Sequence, residues 1–130
     1  MIVVDASAVL EVLLNTSAGA RIGDRILSGD ETLHAPHLLD LEVAQVLRRY
    51  AASGELAADR GAEALEDLAG FPLQRYPHDL LLSRIWELRG NATAYDAAYV
   101  ALAEVLGAVL LTRDARLARM AGHAARIELV

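Results

Sequence analysis

Met1-Ile-Val-Val-Asp5-Ala-Ser7-Ala-Val-Leu10 decides the fold. Ile2, Val3 and Val4 are β-branched, the type that packs on a pleated surface. Asp5 ends the run, and the apolar positions Val9, Leu10, Val12 and Leu13 then follow a helical period from about Ser7. A strand that passes straight into a helix is the first half of a βαβ unit. The arrangement recurs at Ala108-Val-Leu-Leu-Thr112, where a second apolar run leads into a helix predicted over 114–120. Weaker strands are predicted at 33–35 and 73–76, with an edge strand at 126–130. Helices are predicted from Thr16 or Ser17 to about Gly29, over 37–53 closing at Gly54, and over 55–69, 78–88 and 93–106, the last stopped by Gly107. The reading is an α/β chain with a parallel sheet, one domain over residues 1–130, without repeat or linker.

Composition narrows the chemistry. At 130 residues with 55% hydrophobic types the chain holds one real core, which excludes a disordered tail. Nine Asp and nine Glu against twelve Arg give a net charge of -6, and there is neither lysine nor cysteine. Without cysteine there is no disulfide framework, thiolate zinc site or cysteine nucleophile. Without lysine there is no Walker A loop and no Schiff-base chemistry. The first residues lack the basic start of a secretory signal, and no apolar run nears the roughly 20 residues of a membrane span. These features predict a cytoplasmic protein with no membrane association.

Four carboxylates stand in conspicuous places. Leu39, Val43, Val46, Leu47 and Tyr50 form a core-facing stripe, and Glu42 lies inside it. A carboxylate among packed aliphatics costs several kcal/mol unless it is paired or binds a metal. Asp5 reads equally as a helix cap and as a ligand at the carboxyl end of a strand. Asp114 repeats that arrangement, with the cap reading the stronger. Asp96 completes a Thr-x-x-Asp capping box with Thr93, yet sits one turn before Tyr99, Val100 and Ala103 on the packed side. Two acids at strand ends and two on helices facing the same sheet would converge at its C-terminal edge. Clustered carboxylates repel unless something positive lies among them. Oxygen ligands suit Mg²⁺ or Mn²⁺, which usually bind substrate phosphates as well, so the pattern points to phosphodiester chemistry.

Three blocks, Val3-Val-Asp5-Ala-Ser7-Ala, Leu39-Asp-Leu-Glu42-Val-Ala-Gln-Val-Leu-Arg-Arg49 and Thr93-Ala-Tyr-Asp96-Ala-Ala-Tyr99-Val-Ala-Leu-Ala, resemble a PIN domain, and more narrowly the VapC-type toxins of bacterial and archaeal toxin–antitoxin modules. Leu110-Leu-Thr112-Arg-Asp114-Ala-Arg-Leu-Ala118 fits the same pattern, so the resemblance covers essentially the whole chain. It implies a three-layer α/β/α domain with a central parallel sheet of four to five strands. It implies a Mg²⁺- or Mn²⁺-dependent endoribonuclease toxin that leaves 5′-phosphate and 3′-hydroxyl ends. Asp5, Glu42, Asp96 and Asp114 would be its catalytic, metal-binding acids, with Ser7 and Thr112 as supporting hydroxyls. The implied partners are RNA, a VapB-like antitoxin and a second copy in a homodimer.

RNA contact would fall to arginine, with Arg48, Arg49, Arg113 and Arg116 as candidates, since Arg pairs bidentately with phosphate. Each also reads as a solvated helix face. The alternatives are a haloacid-dehalogenase-type phosphatase, which would need Asp rather than Ser7 and a lysine, and a non-catalytic PIN-like RNA- or protein-binding scaffold, which would have lost its acids. His34 and His37 are separated by Pro36 and do not read as a ligand pair. Trp86 with Leu82 and Ile85 reads as core or interface packing, and Glu11 as a surface partner of Arg21 and Arg25. Antitoxin-binding apolar surface is expected on the helices predicted at 17–29 and 37–53.

Overall fold

The computed structural model describes all 130 residues. Five parallel strands form one sheet: β1 (Ile2–Val4), β2 (Leu33–Pro36), β3 (Leu73–Tyr76), β4 (Val109–Thr112) and β5 (Arg126–Leu129), in the order β3-β2-β1-β4-β5. β1 is fully buried, as expected of a central strand covered on both faces, whereas β3 and β5 at the edges are part-exposed.

Seven helices cover the faces: α1 (Ala6–Leu13), α2 (Ser17–Leu27), α3 (Leu38–Ser53), α4 (Ala58–Ala69), α5 (Leu82–Glu87), α6 (Ala94–Leu106) and α7 (Ala115–Ala118). On one side α1 packs on β4 and α3 on β2, with α2 and α4 beyond them. On the other, α6 crosses β1, β2 and β4, and α5 packs outside it. Residues Ala97 to Ala103 of α6 are all buried, a run of mainly small and aliphatic side chains that lets the helix lie close to the sheet.

The chain winds outward from β1 through β2 to β3, then crosses back to add β4 and β5 on the other side. The order therefore reverses between β1 and β4. In such sheets the crevice outside the carboxyl ends of the two strands at the reversal is where ligands bind. Asp5 follows β1 at that point, and Thr112 ends β4.

Three predicted helices are shorter than expected. The segment 55–57 does not join α4, because Gly54 closes α3 at φ 81° and the Leu56 N–H returns to the Tyr50 carbonyl. The helix expected over 78–88 divides into a 3₁₀ turn (Asp79–Leu81) and α5; Leu81 is drawn into the core while Leu80 and Leu82 stay exposed. The last helix is a single turn, α7.

Candidate active site

Asp5 is both a helix cap and a cavity residue. Its Oδ1 accepts the Ala8 N–H at 3.0 Å and the Ser7 hydroxyl at 2.7 Å, and its Oδ2 accepts the Thr112 hydroxyl. The Thr112 oxygen in turn accepts the Asp114 N–H at 2.9 Å, and Ser7 Oγ accepts the Arg113 N–H at 2.9 Å. Ser7 and Thr112 thus lace the end of β1 to the end of β4. Burial pushes the Asp5 carboxyl above the usual aspartate range; these three hydrogen bonds oppose that, and the Asp114 charge adds to it.

The other acids close a ring around this point. Glu42 enters from α3, half-buried, with Oε1 accepting the Tyr99 hydroxyl at 2.5 Å. Its carboxyl is pushed up by burial, opposed by the Tyr99 bond, and raised further by the charges of Asp5 and Asp96. Asp96 enters from α6. Thr93 caps that helix by accepting the Asp96 N–H at 3.2 Å, but the Asp96 carboxylate leaves the reciprocal half of the capping box unmade. It meets Arg116 Nη2 at 3.0 Å, and the same nitrogen lies 3.2 Å from Asp114 Oδ2. Asp114 caps α7 through Oδ1, so its other oxygen faces Arg116. The Asp114 charge acts on Asp5, those of Asp5 and Asp96 act on Glu42, and Asp96 and Asp114 share the Arg116 guanidinium.

All four acids line one open cavity of about 380 Å³, with Ser7, Arg49, Arg113, Arg116 and Tyr99 in its wall. Thr112 supports it from beneath. Arg113 is also tied to the Val130 carbonyl at 2.8 Å. Arg48 is not among the lining residues; it lies exposed on α3 and donates from Nε to the Gln45 side-chain Oε1 at 3.1 Å. No three Asp, Glu or His side chains are set to hold one ion as they stand. The donor set nonetheless fits Mg²⁺ or Mn²⁺, because Mg²⁺ commonly takes one or two carboxylates and completes its shell with water and phosphate oxygens.

Two cavity residues read as something else from sequence. Glu11 does not pair with Arg21 or Arg25: it lines the cavity, accepts the Thr16 hydroxyl and lies 3.8 Å from Arg113 Nε. Its spacing four residues after Ser7 on α1 was the available signal. Arg25 pairs instead with Glu31 and Glu128. Tyr99 reads from sequence only as packing, although it falls three residues after Asp96 on one helix face.

Elsewhere, Trp86 is not core: it is 68% exposed, with the Arg89 guanidinium 4.6 Å from its ring centroid. His34 is buried between Thr32 and Tyr76, far in bonding terms from His37, whose ring faces His78. An apolar groove of about 390 Å³, lined by Leu38, Leu41, Val46 and Tyr95 among others, adjoins the cavity and shares Glu42, Val46 and Arg49 with it. It belongs to α3 and α6, so the expected apolar surface is present on α3, while none of this groove comes from α2.

The PIN domain family model matches residues 2–123. Ribonuclease VapC9 of Mycobacterium tuberculosis is 50% identical over 117 residues, covering 90% of this chain and 88% of that protein. Ribonuclease VapC12 of the same species is 42% identical over 130 residues, covering 100% of this chain and 99% of that protein. Among solved structures, VapBC2 from Rickettsia felis, bound to a DNA fragment from its promoter, superposes with a TM-score of 0.71 at 12% identity, covering 99% of this chain and 98% of that chain. At that identity the likeness speaks for the fold alone.

Proposed function

Because the chain belongs to the PIN domain family, with VapC ribonucleases as full-length relatives, we propose that it is a VapC-like endoribonuclease toxin that hydrolyses RNA phosphodiester bonds at the acidic cavity, assisted by Mg²⁺ or Mn²⁺. The observation that carries the reading is the convergence of Asp5, Glu42, Asp96 and Asp114 on one cavity at the point where the strand order reverses. Bound there, a divalent ion supplies an activated water and a Lewis acid for the scissile phosphate.

The protein's own part is positional. Ser7 and Thr112 hold the Asp5 carboxylate by both oxygens, so it does not turn away when charge builds around it. Asp96 and Glu42 face it from helices on opposite sides of the sheet. Arg116, 67% exposed by side chain and anchored only by carboxylates, is free to exchange those contacts for a phosphate. Arg49 and Arg113 stand on the cavity wall as further phosphate contacts. All four acids are retained, so the scaffold alternative has no support.

The partner is a VapB-like antitoxin. We place its docking segment in the groove of Leu38, Leu41, Val46 and Tyr95, because a chain lying there would run directly beside Glu42 and Arg49. No helix is long and apolar enough to cross a membrane.

The test of the reading is Asp96→Asn, which keeps shape and the Thr93 cap while removing one negative charge. In Mg²⁺ or Mn²⁺ the variant is expected to lose about 100-fold or more in RNA cleavage, since even outer-shell changes at metal sites typically cost 10–100-fold. Chelation by EDTA should abolish wild-type cleavage. Wild-type rates in the variant, or undiminished cleavage in EDTA, would contradict the proposal.

A further inference from the structure

The polar atom beneath the acidic cavity that the chemistry above leaves without a task is the Tyr99 hydroxyl. Tyr99 is 2% exposed and among the largest fully buried side chains of the domain. It sits on α6 one turn after Asp96, yet its hydroxyl donates to Glu42 Oε1 of α3 at 2.5 Å. The bond therefore joins the two helices that bring acids to the cavity from opposite faces of the sheet. A phenol has one proton and an ionised carboxylate only accepts, which fixes the direction of the bond.

Core packing explains a ring at position 99 but not a hydroxyl. Phenylalanine would fill the same space without burying a polar atom, which is unfavourable unless bonded. The hydroxyl is the one polar partner that Glu42 has, whereas Asp5 has Ser7, Thr112 and Ala8, Asp114 has its cap, and Asp96 has the Arg116 ion pair. Glu42 has the longest stem of the four and is pushed by Asp5 and Asp96. Without Tyr99 it would swing toward solvent.

We infer that Tyr99 is a positioning residue, whose hydroxyl holds the Glu42 carboxylate in the cavity against Asp5 and Asp96 so that Glu42 can share a divalent cation. This rests on the reading of the cavity as a metal-dependent ribonuclease site. The specificity of the role lies in the hydroxyl, not the ring.

A double-mutant cycle over Tyr99→Phe and Glu42→Gln tests it, with Mn²⁺ affinity by isothermal titration and kcat and KM on a fluorogenic RNA oligonucleotide as readouts. Tyr99→Phe is expected to stay folded, to lose about 10-fold in Mn²⁺ affinity and in kcat, and to keep the wild-type KM for RNA. The double variant should be no worse than Glu42→Gln alone, because Tyr99 acts only through Glu42. Wild-type Mn²⁺ affinity and kcat in Tyr99→Phe would overturn the proposal, as would losses that multiply in the double variant. If Glu42→Gln itself binds Mn²⁺ and cleaves RNA like the wild type, the assignment of Glu42 to the site has failed instead, whatever Tyr99→Phe does.

Discussion

Glu42 shows how an unfavourable residue is kept in place. Burial and then the charges of Asp5 and Asp96 favour its protonated form, against the single bond from Tyr99. A hydrogen bond to a charged group contributes about 1.5–3 kcal/mol net, against up to about 2 kcal/mol to order a Glu side chain. The two are of similar size, so the bond is enough to hold the rotamer and not enough to remove the repulsion. For a carboxylate whose folded-state pKa is raised, the folded chain binds more protons than the unfolded one between the two values. Stability is then full below the unfolded pKa and falls as pH rises through the folded one. The same direction holds for Asp5. In EDTA, Glu42→Gln should therefore match the wild type near pH 4 and exceed it at pH 7 by about 1 kcal/mol, the usual return from relieving repelling charges. Urea melts of the two proteins across that range check this. A gap that shrinks as pH rises would mean the acids are not strained in the folded protein, and added Mn²⁺ should narrow the gap by stabilising the wild type more.

At the scale of elements, Gly19 marks a close approach of α2 to the α1 backbone. A Cβ built on Gly19 would lie 2.0 Å from the Glu11 carbonyl oxygen, part of the α1 backbone that cannot step aside. Gly19→Ala should cost about 1–3 kcal/mol, as overpacking typically does. Gly23 on the same helix has nothing within 4 Å, so Gly23→Ala should stabilise by up to about 1 kcal/mol through helix propensity. Thermal denaturation of the pair separates close packing from propensity; equal shifts would refute the seating. Which elements were readable follows from the same physics. β1 and β4 were plain because fully covered central strands are continuous apolar runs. β3, Leu73-Gln-Arg-Tyr76, was bounded mainly by Gly70 and Pro72 before it and Pro77 after it. The start of α4 was misplaced because residues 54–57 serve the end of α3, a tertiary use that helical periodicity does not register. The four acids were found because each breaks a local pattern or ends a strand. Glu11 and Tyr99 break none: one looks like an exposed helix position and the other like core, and only the convergence of α1, α3 and α6 gives them a place at the cavity.

For the whole molecule, the net charge of -6 runs against a polyanionic substrate, whose binding normally draws on a basic surface. The distribution resolves it. Five of the eighteen acids, counting Glu11, line the one cavity together with Arg49, Arg113 and Arg116. Divalent cations held by those acids would place positive charge where the scissile phosphate sits, so the acidity is in part the site itself. The groove of Leu38, Leu41, Val46 and Tyr95 lies against the same cavity, so an antitoxin segment and an RNA strand would compete for neighbouring ground. A homodimer, which the resemblance implies, would have the exposed Leu80, Leu82 and Trp86 available to cover. Metal-assisted RNA hydrolysis at the acidic cavity is tested most sharply by incubating total cellular RNA with the purified protein and with Asp5→Asn, with and without Mn²⁺, and mapping the new ends. Discrete cuts bearing 5′-phosphates, made only by the wild type and only with metal, are the predicted result. Cuts of equal yield from Asp5→Asn, or 5′-hydroxyl ends formed without metal, would contradict it.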